Sequence, residues 1–149
     1  MEIIKFRGKR TDNKEWIYGF YIVVDGKHLI IPEDATINFC GKYGNGCFGE
    51  INHDGKSWTC EVDPKTVSQF IMKVDKNGKE IYEGDIIIGM WDGALDYSKE
   101  KIQVEYKDCA FRESYFGRPL SNISRNSKLE VIGNIIDNPE LLNQTSEIE

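Results

Sequence analysis

Short apolar runs separated by turn dipeptides are the dominant pattern along the 149 residues of the chain. The dipeptides join Asp or Asn to Gly, and they are Asp25-Gly26, Asn45-Gly46, Asp54-Gly55, Asn77-Gly78 and Asp92-Gly93. These residue types tolerate the positive φ angles that two-residue hairpin loops require. Their spacing is typical of consecutive strands rather than helices, so the pattern predicts an all-β, mainly antiparallel fold.

The order of apolar and polar residues within the runs predicts individual strands. Apolar residues alternate with polar ones in Lys101–Lys107 and in Ile4–Arg7, which indicates one buried face and one wet face. The run Trp16–Val24 is apolar almost throughout, so we expect a strand that is covered on both faces. Leu29–Ile31 then forms the return strand of the hairpin at Asp25-Gly26.

The segment from Asp75 to Ile88 is the clearest hairpin signature in the chain. We predict that Gly84 permits a tight turn or bulge and that Asp85 accepts hydrogen bonds from nearby backbone amides. Glu83 and Asp85 stand at alternate positions, so their carboxylates could also share a face for metal or acid–base chemistry. The structural role is the favoured interpretation.

An internal repeat suggests two β-units, because the pattern of residues 12–19 recurs at residues 77–84. We predict an N-terminal β-unit over residues 1–74 and a C-terminal β-unit over residues 75–149. The two units are expected to share a core and could form one domain. Unrelated hairpins often contain the same turn residues, and this explanation of the repeat is favoured over gene duplication. Helical signals are limited to one or two short turns, each starting where Asp63 or Asn138 precedes a proline.

Composition restricts the environment in which the protein works. Hydrophobic residues make up 40% of the chain, enough for a packed interior, and no apolar run reaches the roughly eighteen residues that span a bilayer. The first five residues lack the basic and apolar regions of a secretory signal, so we expect a cytoplasmic protein without membrane contact. In that reducing compartment the four cysteines are expected to be free thiols.

The formal net charge of −6 argues against binding nucleic acid over a large surface, which normally needs a basic face. Basic residues nevertheless cluster in the first strand and its turn, at Lys5, Arg7, Lys9, Arg10 and Lys14. Strand-edge lysines often serve to prevent aggregation, and this interpretation is favoured. A local basic edge that touches nucleic acid or an acidic partner remains the alternative.

Aromatic residues provide the strongest indication of binding, because there are more of them than a small core requires. They are Trp16, Tyr18, Tyr21, Trp58, Trp91 and Tyr97. Half or more should lie in the core, and the others could stack nucleic-acid bases or form a protein interface. The candidate binding residues are Arg7, Lys9, Arg10, Trp16, Tyr18 and Tyr82.

Catalytic and metal chemistry have weaker support in the sequence. Cys40, Cys47, His53 and Cys60 are possible metal ligands, but zinc sites normally contain a close Cys-x-x-Cys pair, which is missing here. Cys60, His53 and Asp63 could form a thiol site, although nothing nearby activates the cysteine. We therefore predict no catalytic residue, metal or cofactor, and keep a small metal- or thiol-dependent hydrolase as an alternative.

Four segments together resemble the YopX family of phage and prophage proteins. They are residues 4–9 with 16–19, residues 62–67 with 69–70, residues 75–86, and residues 130–135 with 138–142. The chain departs from the family pattern at Ser68 and at Ile71-Met72, and residues 40–60 have no counterpart. The resemblance implies a largely β fold, an SH3-like barrel in the C-terminal unit, and an origin in a mobile element of a low-GC Gram-positive bacterium. It implies no activity and supplies no catalytic residues.

The expected function is that of a phage or prophage accessory protein that binds a protein partner, or associates with itself, through strand edges and aromatic patches. The alternative from a different class is a β-barrel protein that binds nucleic acid weakly through its N-terminal basic strand.

Overall fold

The computed structural model describes residues 4–33, 36–39, 49–53, 56–57, 60–91, 95–114, 117–120 and 128–143. Its strands are β1 (Phe6–Lys9), β2 (Trp16–Val24), β3 (Lys27–Pro32), β4 (Thr36–Phe39), β5 (Gly49–His53), β6 (Lys56–Ser57), β7 (Cys60–Glu61), β8 (Ser68–Val74), β9 (Glu80–Tyr82), β10 (Asp85–Trp91), β11 (Leu95–Lys107), β12 (Ala110–Glu113) and β13 (Glu130–Asn134). A 3-10 turn (Pro64–Thr66) and a short helix, α1 (Glu140–Asn143), are the helical elements of these ranges. The strand pairings described below are antiparallel, and the predicted all-β, mainly antiparallel fold with one or two short helical turns is confirmed.

Two of the predicted hairpin turns fall within the described residues. Asp25 and Gly26, with φ angles of 50° and 76°, connect β2 to β3, and Gly78, with φ of 81°, lies between β8 and β9. These two predictions are confirmed. The turns predicted at residues 45–46, 54–55 and 92–93 lie outside the described residues.

Contacts along the chain define two compact units, Ile3–Val67 and Ser68–Glu149. In the first unit, β2 pairs with both β1 and β3, and β3 pairs with β7. The strands β4, β5 and β6 form a separate three-stranded antiparallel sheet. The central position of β2 means that backbone hydrogen bonds occupy both of its edges.

Backbone contacts between the end of β1 and the residues around β7 close the series of paired strands in the first unit. Arg10 and Val62 form an antiparallel bridge, and the Asp63 N–H donates to the Lys9 carbonyl over 2.9 Å. The Thr11 N–H donates to the Glu61 carbonyl over the same distance. Inside this closed ladder Val62 and Ile30 are fully buried, so they form the apolar interior of the unit.

The second unit contains the β8–β9 hairpin and a four-stranded sheet in the order β12-β11-β10-β13. Its core consists of buried aliphatic side chains: Ile71, Ile81, Ile87, Ile102, Val104, Leu120, Leu129 and Val131. Gly84, with φ of 78°, forms the turn between β9 and β10, and its N–H donates to the Val104 carbonyl. The buried Asp85 carboxylate accepts a hydrogen bond from the Tyr82 N–H over 2.8 Å, so the structural roles predicted for both residues are confirmed.

A buried carboxylate joins the β8–β9 hairpin to β13. One oxygen of Asp75 accepts from the N–H groups of Asn77 and Lys79, at 2.7 Å and 2.9 Å. The other accepts from the Val131 N–H at 3.1 Å. The Lys76 N–H also donates to the Leu129 carbonyl at 2.9 Å. The turn therefore satisfies both its own donors and backbone groups at the β13 end of the sheet.

The pKa of Asp75 shows the balance between burial and hydrogen bonding. Desolvation raises the pKa of this carboxyl, but the N–H groups of Val131, Lys79 and Asn77 and the charge of Lys79 oppose that effect. The pKa is lowered as a result. The carboxylate form is thus the one that stabilises the fold.

We expect Asp75→Asn to destabilise the protein by about 2–3 kcal/mol, because an amide cannot accept at both oxygen positions and leaves a buried N–H unsatisfied. Urea unfolding gives the free energy of unfolding. Asp25→Asn is the matched control, because Asp25 is exposed and its positive φ is also accessible to asparagine. Equal stabilities of the two variants would contradict the role assigned to Asp75.

We expect the stability difference between the native protein and Asp75→Asn to shrink as the solution is acidified. Because the pKa of Asp75 is lower in the folded state, its contribution is complete above the ordinary aspartate value of about 3.9 and is lost as pH falls through the folded-state value. Urea unfolding of both proteins from neutral to strongly acidic pH measures this difference. A difference that is constant over that range would exclude an ionised Asp75.

Candidate binding face

The pairing of β1 with β2 brings four of the six candidate binding residues to one face of the sheet. Arg7 lies opposite Tyr18, and Lys9 lies opposite Trp16. Directly paired residues of antiparallel strands project to the same side, and so do residues two positions apart along a strand. Arg7, Lys9, Trp16 and Tyr18 therefore share what we call the outer face of the first unit.

Two cations surround the indole ring of Trp16 on this face. The Arg7 guanidinium carbon lies 4.7 Å from the ring centroid, and the Lys9 ammonium nitrogen lies 5.5 Å from it. Cation–π contacts at such distances contribute about 0.5–2 kcal/mol each, with the higher values at desolvated sites. Arg7 is only 6% exposed, so its guanidinium holds the indole in position rather than meeting a ligand.

The backbone below this cluster is fixed by the 3-10 turn. The Lys9 N–H donates to the Thr66 hydroxyl over 2.8 Å, and that hydroxyl donates to the Asp63 carbonyl over 2.7 Å. The Asp63 carboxylate also accepts from the Lys65 N–H at the start of the turn. The end of β1 is therefore held by side chains as well as by its pairing with β2.

The outer face of β2 carries a row of exposed apolar side chains. Tyr18, Phe20 and Val24 are 44%, 40% and 49% exposed, and Ile22 between them is half-buried. We call these four residues the outer ribbon. The prediction that Trp16–Val24 is covered on both faces is therefore wrong, because the pairing of β2 with β1 and β3 satisfies its backbone but does not cover this row of side chains.

Arg10 and Tyr82, the other two candidates, do not join this cluster. Arg10 forms a paired hydrogen bond with Asp12 in the turn after β1, with nitrogen–oxygen distances of 2.9 Å and 2.6 Å. This hydrogen bond raises the pKa of Arg10 and lowers that of Asp12. Tyr82 belongs to the second unit, where it is 1% exposed, and its hydroxyl donates to Glu80. Its ring is therefore not accessible for stacking.

The proposed metal and thiol chemistry gains no geometric support from the described side chains. Among them no group of three or more His, Cys, Asp or Glu residues is arranged to hold a metal ion. Cys60 is a half-buried free thiol, and the Asp63 carboxylate is used in the 3-10 turn. Cys40, Cys47 and the side chain of His53 lie outside the described part of the chain.

The remaining acid–base candidate, Glu83, is half-buried in the turn before β10. Desolvation raises the pKa of its carboxyl, although a hydrogen bond from the Tyr106 backbone opposes that shift. Asp85, its proposed partner, is occupied by the Tyr82 N–H. The two acids thus have separate backbone partners, which favours their structural interpretation.

Sequence reasoning missed Phe20 and Val24 as parts of the binding face. A run that is apolar at nearly every position has no period from which the exposed side can be identified. The available signal was the register of the β1–β2 hairpin, which puts even-numbered residues of β2 on the face that carries Arg7 and Lys9.

Comparisons with known proteins agree with the β architecture. The family model described as "YopX protein" matches residues 5–143. Among solved structures, the crystal structure of protein EF1440 from Enterococcus faecalis is 28% identical in sequence, with a TM-score of 0.58. The alignment covers 95% of this chain and 99% of that one. No curated protein matches the chain.

We expect Arg7→Met to destabilise the protein by about 2 kcal/mol, because it removes the desolvated cation–π contact with Trp16 while keeping most of the apolar stem. Lys9→Met is the matched control. Because Lys9 is half-buried, its substitution should cost about 1 kcal/mol or less. Urea unfolding measures both, and a larger loss for Lys9→Met than for Arg7→Met would contradict the positioning role of Arg7.

Proposed function

The chain belongs to the YopX family, and we propose that it is a non-catalytic accessory protein that binds a protein partner through the outer ribbon of its first unit. The observation that carries this proposal is the row of exposed Tyr18, Phe20 and Val24 along one strand. Contiguous apolar side chains on a protein surface are typical of interaction sites, and tyrosine is frequent among residues that dominate binding energy.

The structure of the ribbon favours a protein partner over nucleic acid. Single-strand binders stack bases on free aromatic rings along a basic groove. Here the ring of Trp16 already has Arg7 and Lys9 against it, and beyond Tyr18 and Phe20 the ribbon continues with the aliphatic residues Ile22 and Val24. Aliphatic side chains offer contact area to other apolar side chains but no stacking surface to bases. Weak nucleic-acid binding is therefore the second candidate.

The cellular setting is also part of the proposal. The resemblance to phage and prophage proteins supports a role in the cytoplasm of an infected or lysogenic bacterial host. Within the described residues, no helix is long and apolar enough to cross a membrane. We further propose that the second unit is an SH3-like barrel, which the antiparallel order β12-β11-β10-β13 supports. Self-association is a variant of the same proposal, with a second copy as the partner.

We expect the native protein to capture a host or phage protein that the double variant Tyr18→Ser/Phe20→Ser does not capture. The double variant removes two aromatic contacts, and each such contact at the centre of an interface contributes about 2 kcal/mol or more. Affinity capture identifies the candidate, and calorimetry with the purified partner gives the binding constant. Sedimentation velocity tests whether that partner is a second copy.

The control for this experiment is Val23→Ser. Val23 is 54% exposed and lies on the same strand, but it projects to the opposite side from the ribbon. Binding should survive in this variant. Equal binding by all three proteins would refute the ribbon as the contact surface, and retention on single-stranded DNA at low salt, lost in the double variant, would favour the nucleic-acid candidate.

A further inference from the structure

The register of β2 and β3 gives the outer ribbon a midpoint. Tyr21 is the central residue of the span from Tyr18 to Val24, and it lies opposite Ile30 in the β2–β3 pair. We call Tyr21 and Ile30 the midpoint pair. Two ribbon residues lie on each side of it, and they are aromatic towards the start of β2 and aliphatic towards its end. The two halves of the ribbon are therefore equal in length but differ in the size of their side chains.

Strand β3 has one charge at each end, at equal distances from the midpoint pair. Lys27 is its first residue, lies opposite Val24 and is exposed. Glu33 directly follows its last residue, Pro32, and is also exposed. Each stands three residues from Ile30 along the chain. A cation therefore borders the aliphatic end of the ribbon, and an anion borders its aromatic end.

Both of these charges belong to the outer face. Lys27 is the direct partner of Val24, and directly paired residues project to the same side of a sheet. Glu33 forms an ion pair with Lys5 over 2.8 Å, and Lys5 stands two residues before Arg7, which lies on that face. The contact uses one oxygen of Glu33, whose side chain is 50% exposed. Its carboxylate is therefore accessible to a further cation.

The other charges of the outer face do not select a partner of one sign. Arg7 is buried and Lys9 is half-buried, and both lie against Trp16. Glu61 is exposed on the same face, but it lies on β7 opposite Leu29, one strand further from the ribbon than β3. Cations on the β1 side are thus accompanied by anions on the side of β3 and β7, and the face has no strong excess of either charge.

A second copy of the ribbon fits this face when the two sheets meet antiparallel. A two-fold axis that runs across the strands above the midpoint pair relates the two copies. It places Tyr18 against Val24 of the second copy, and Phe20 against Ile22 of the second copy. Each contact then joins a large aromatic side chain to a smaller aliphatic one, which is how facing layers of side chains fill the space between them. The ribbon is therefore self-complementary in size.

The same axis makes the charges complementary. It brings Lys27 opposite Glu33 of the second copy at one end of the ribbon, and Glu33 opposite Lys27 of the second copy at the other end. Sheets that pack face to face lie about 10 Å apart, and a lysine and a glutamate side chain together span that gap. One symmetry operation therefore satisfies both the apolar strip and the two charges that border it.

We infer that the outer ribbon is a self-association surface, on which a second copy of the chain packs antiparallel about the Tyr21–Ile30 pair. This inference rests on the proposed function and specifies its partner. The apolar strips exclude water from each other, while the pairs of Lys27 with Glu33 fix the orientation of the two copies. The four ribbon residues and their neighbours on β3 are fewer than the roughly 20 residues that each side of a standard interface contains, so we expect a weak dimer, with a dissociation constant on the order of 10–100 µM.

Sedimentation equilibrium of the full chain, from about 1 µM to about 1 mM, measures this dissociation constant. Salt at about 0.15 M screens the net charge of −6 beyond about 8 Å. We expect the average mass to rise with concentration towards twice that of the chain. The double variant Tyr18→Ser/Phe20→Ser should weaken the dimer at least tenfold, whereas Val23→Ser, on the opposite side of β2, should stay within about twofold of the native value.

A charge exchange tests the arrangement of the two copies. Lys27→Glu and Glu33→Lys should each weaken the dimer about tenfold, because each brings like charges together at both ends of the ribbon. When the two variants are mixed in equal amounts, a mixed dimer has opposite charges at both ends. Its dissociation constant should return to within about threefold of the native value. This recovery also shows that both variants are folded.

Two further variants are the matched controls. Glu61→Lys makes the same change of charge as Glu33→Lys, on the same face but one strand further from the ribbon. Lys65→Glu makes the same change as Lys27→Glu, at an exposed position in the 3-10 turn. Each should leave the dissociation constant within about twofold of the native value, and Glu61→Lys should not restore association when it is mixed with Lys27→Glu.

The outcomes separate this inference from the proposed function. A chain that stays monomeric at about 1 mM overturns the inference, and the proposed function is then decided by the capture experiment alone. A dimer that survives in Tyr18→Ser/Phe20→Ser also overturns it, because the contact then lies elsewhere. The inference is equally wrong if the mixture of Lys27→Glu with Glu33→Lys stays weak, or if Glu61→Lys restores association in place of Glu33→Lys.

Discussion

The second unit depends on one interaction, the set of hydrogen bonds that the Asp75 carboxylate accepts. A tight turn leaves several backbone donors pointing inward, and a buried N–H without a partner is unfavourable by about 1–3 kcal/mol. Asp75 satisfies two such donors in its own turn and one on β13, at a separation of 56 residues. A local turn and a distant strand are thereby fixed by the same two oxygen atoms. The packing of Ile81 and Val131 in the common core is compatible with this arrangement and adds the apolar burial that stabilises it.

The first unit is stabilised by different interactions, which leave the apolar side chains on one of its faces exposed. Closure of the ladder between the ends of β1 and β7 buries Ile30 and Val62 on the inner side. The outer side is organised by a buried arginine against an indole, and next to it the apolar residues of β2 stay exposed. Because the backbone of β2 is paired on both edges, contact through this face uses side chains rather than strand addition. This is why we place recognition on the outer ribbon instead of on a strand edge.

The sequence predicted those features that depend on local chemistry. Asp-Gly and Asn-Gly dipeptides identified two hairpins, and the residues around Gly84 and Asp85 identified a turn with its carboxylate acceptor. The features that it did not predict depend on distant partners. Nothing near Asp75 in the sequence indicates that the Val131 N–H is its third donor. The sequence also does not show that Tyr82 is buried, because its burial depends on the core of the second unit and on the hydrogen bond to Glu80.

The same reasoning applies to the candidate site. Arg7, Lys9, Trp16 and Tyr18 could be proposed together because a short turn between two strands sets their register, and the structure places them on one face. Their different roles could not be inferred, since the burial of Arg7 and the exposure of Tyr18 are determined by packing around the strands. Arg10, one residue beyond β1, projects into the turn and is held by Asp12.

The exposure of the outer ribbon has an evolutionary consequence. Substitutions at Tyr18, Phe20 or Val24 alter little of the buried interior, so the chain can exchange these residues without losing its fold. Selection imposed by a changing partner could therefore alter the residues of this surface rapidly, while the carboxylates and aliphatic residues of the core change slowly. Relatives with the same architecture would then recognise different partners, and the residues at alternate positions of β2 would determine which partner each one binds.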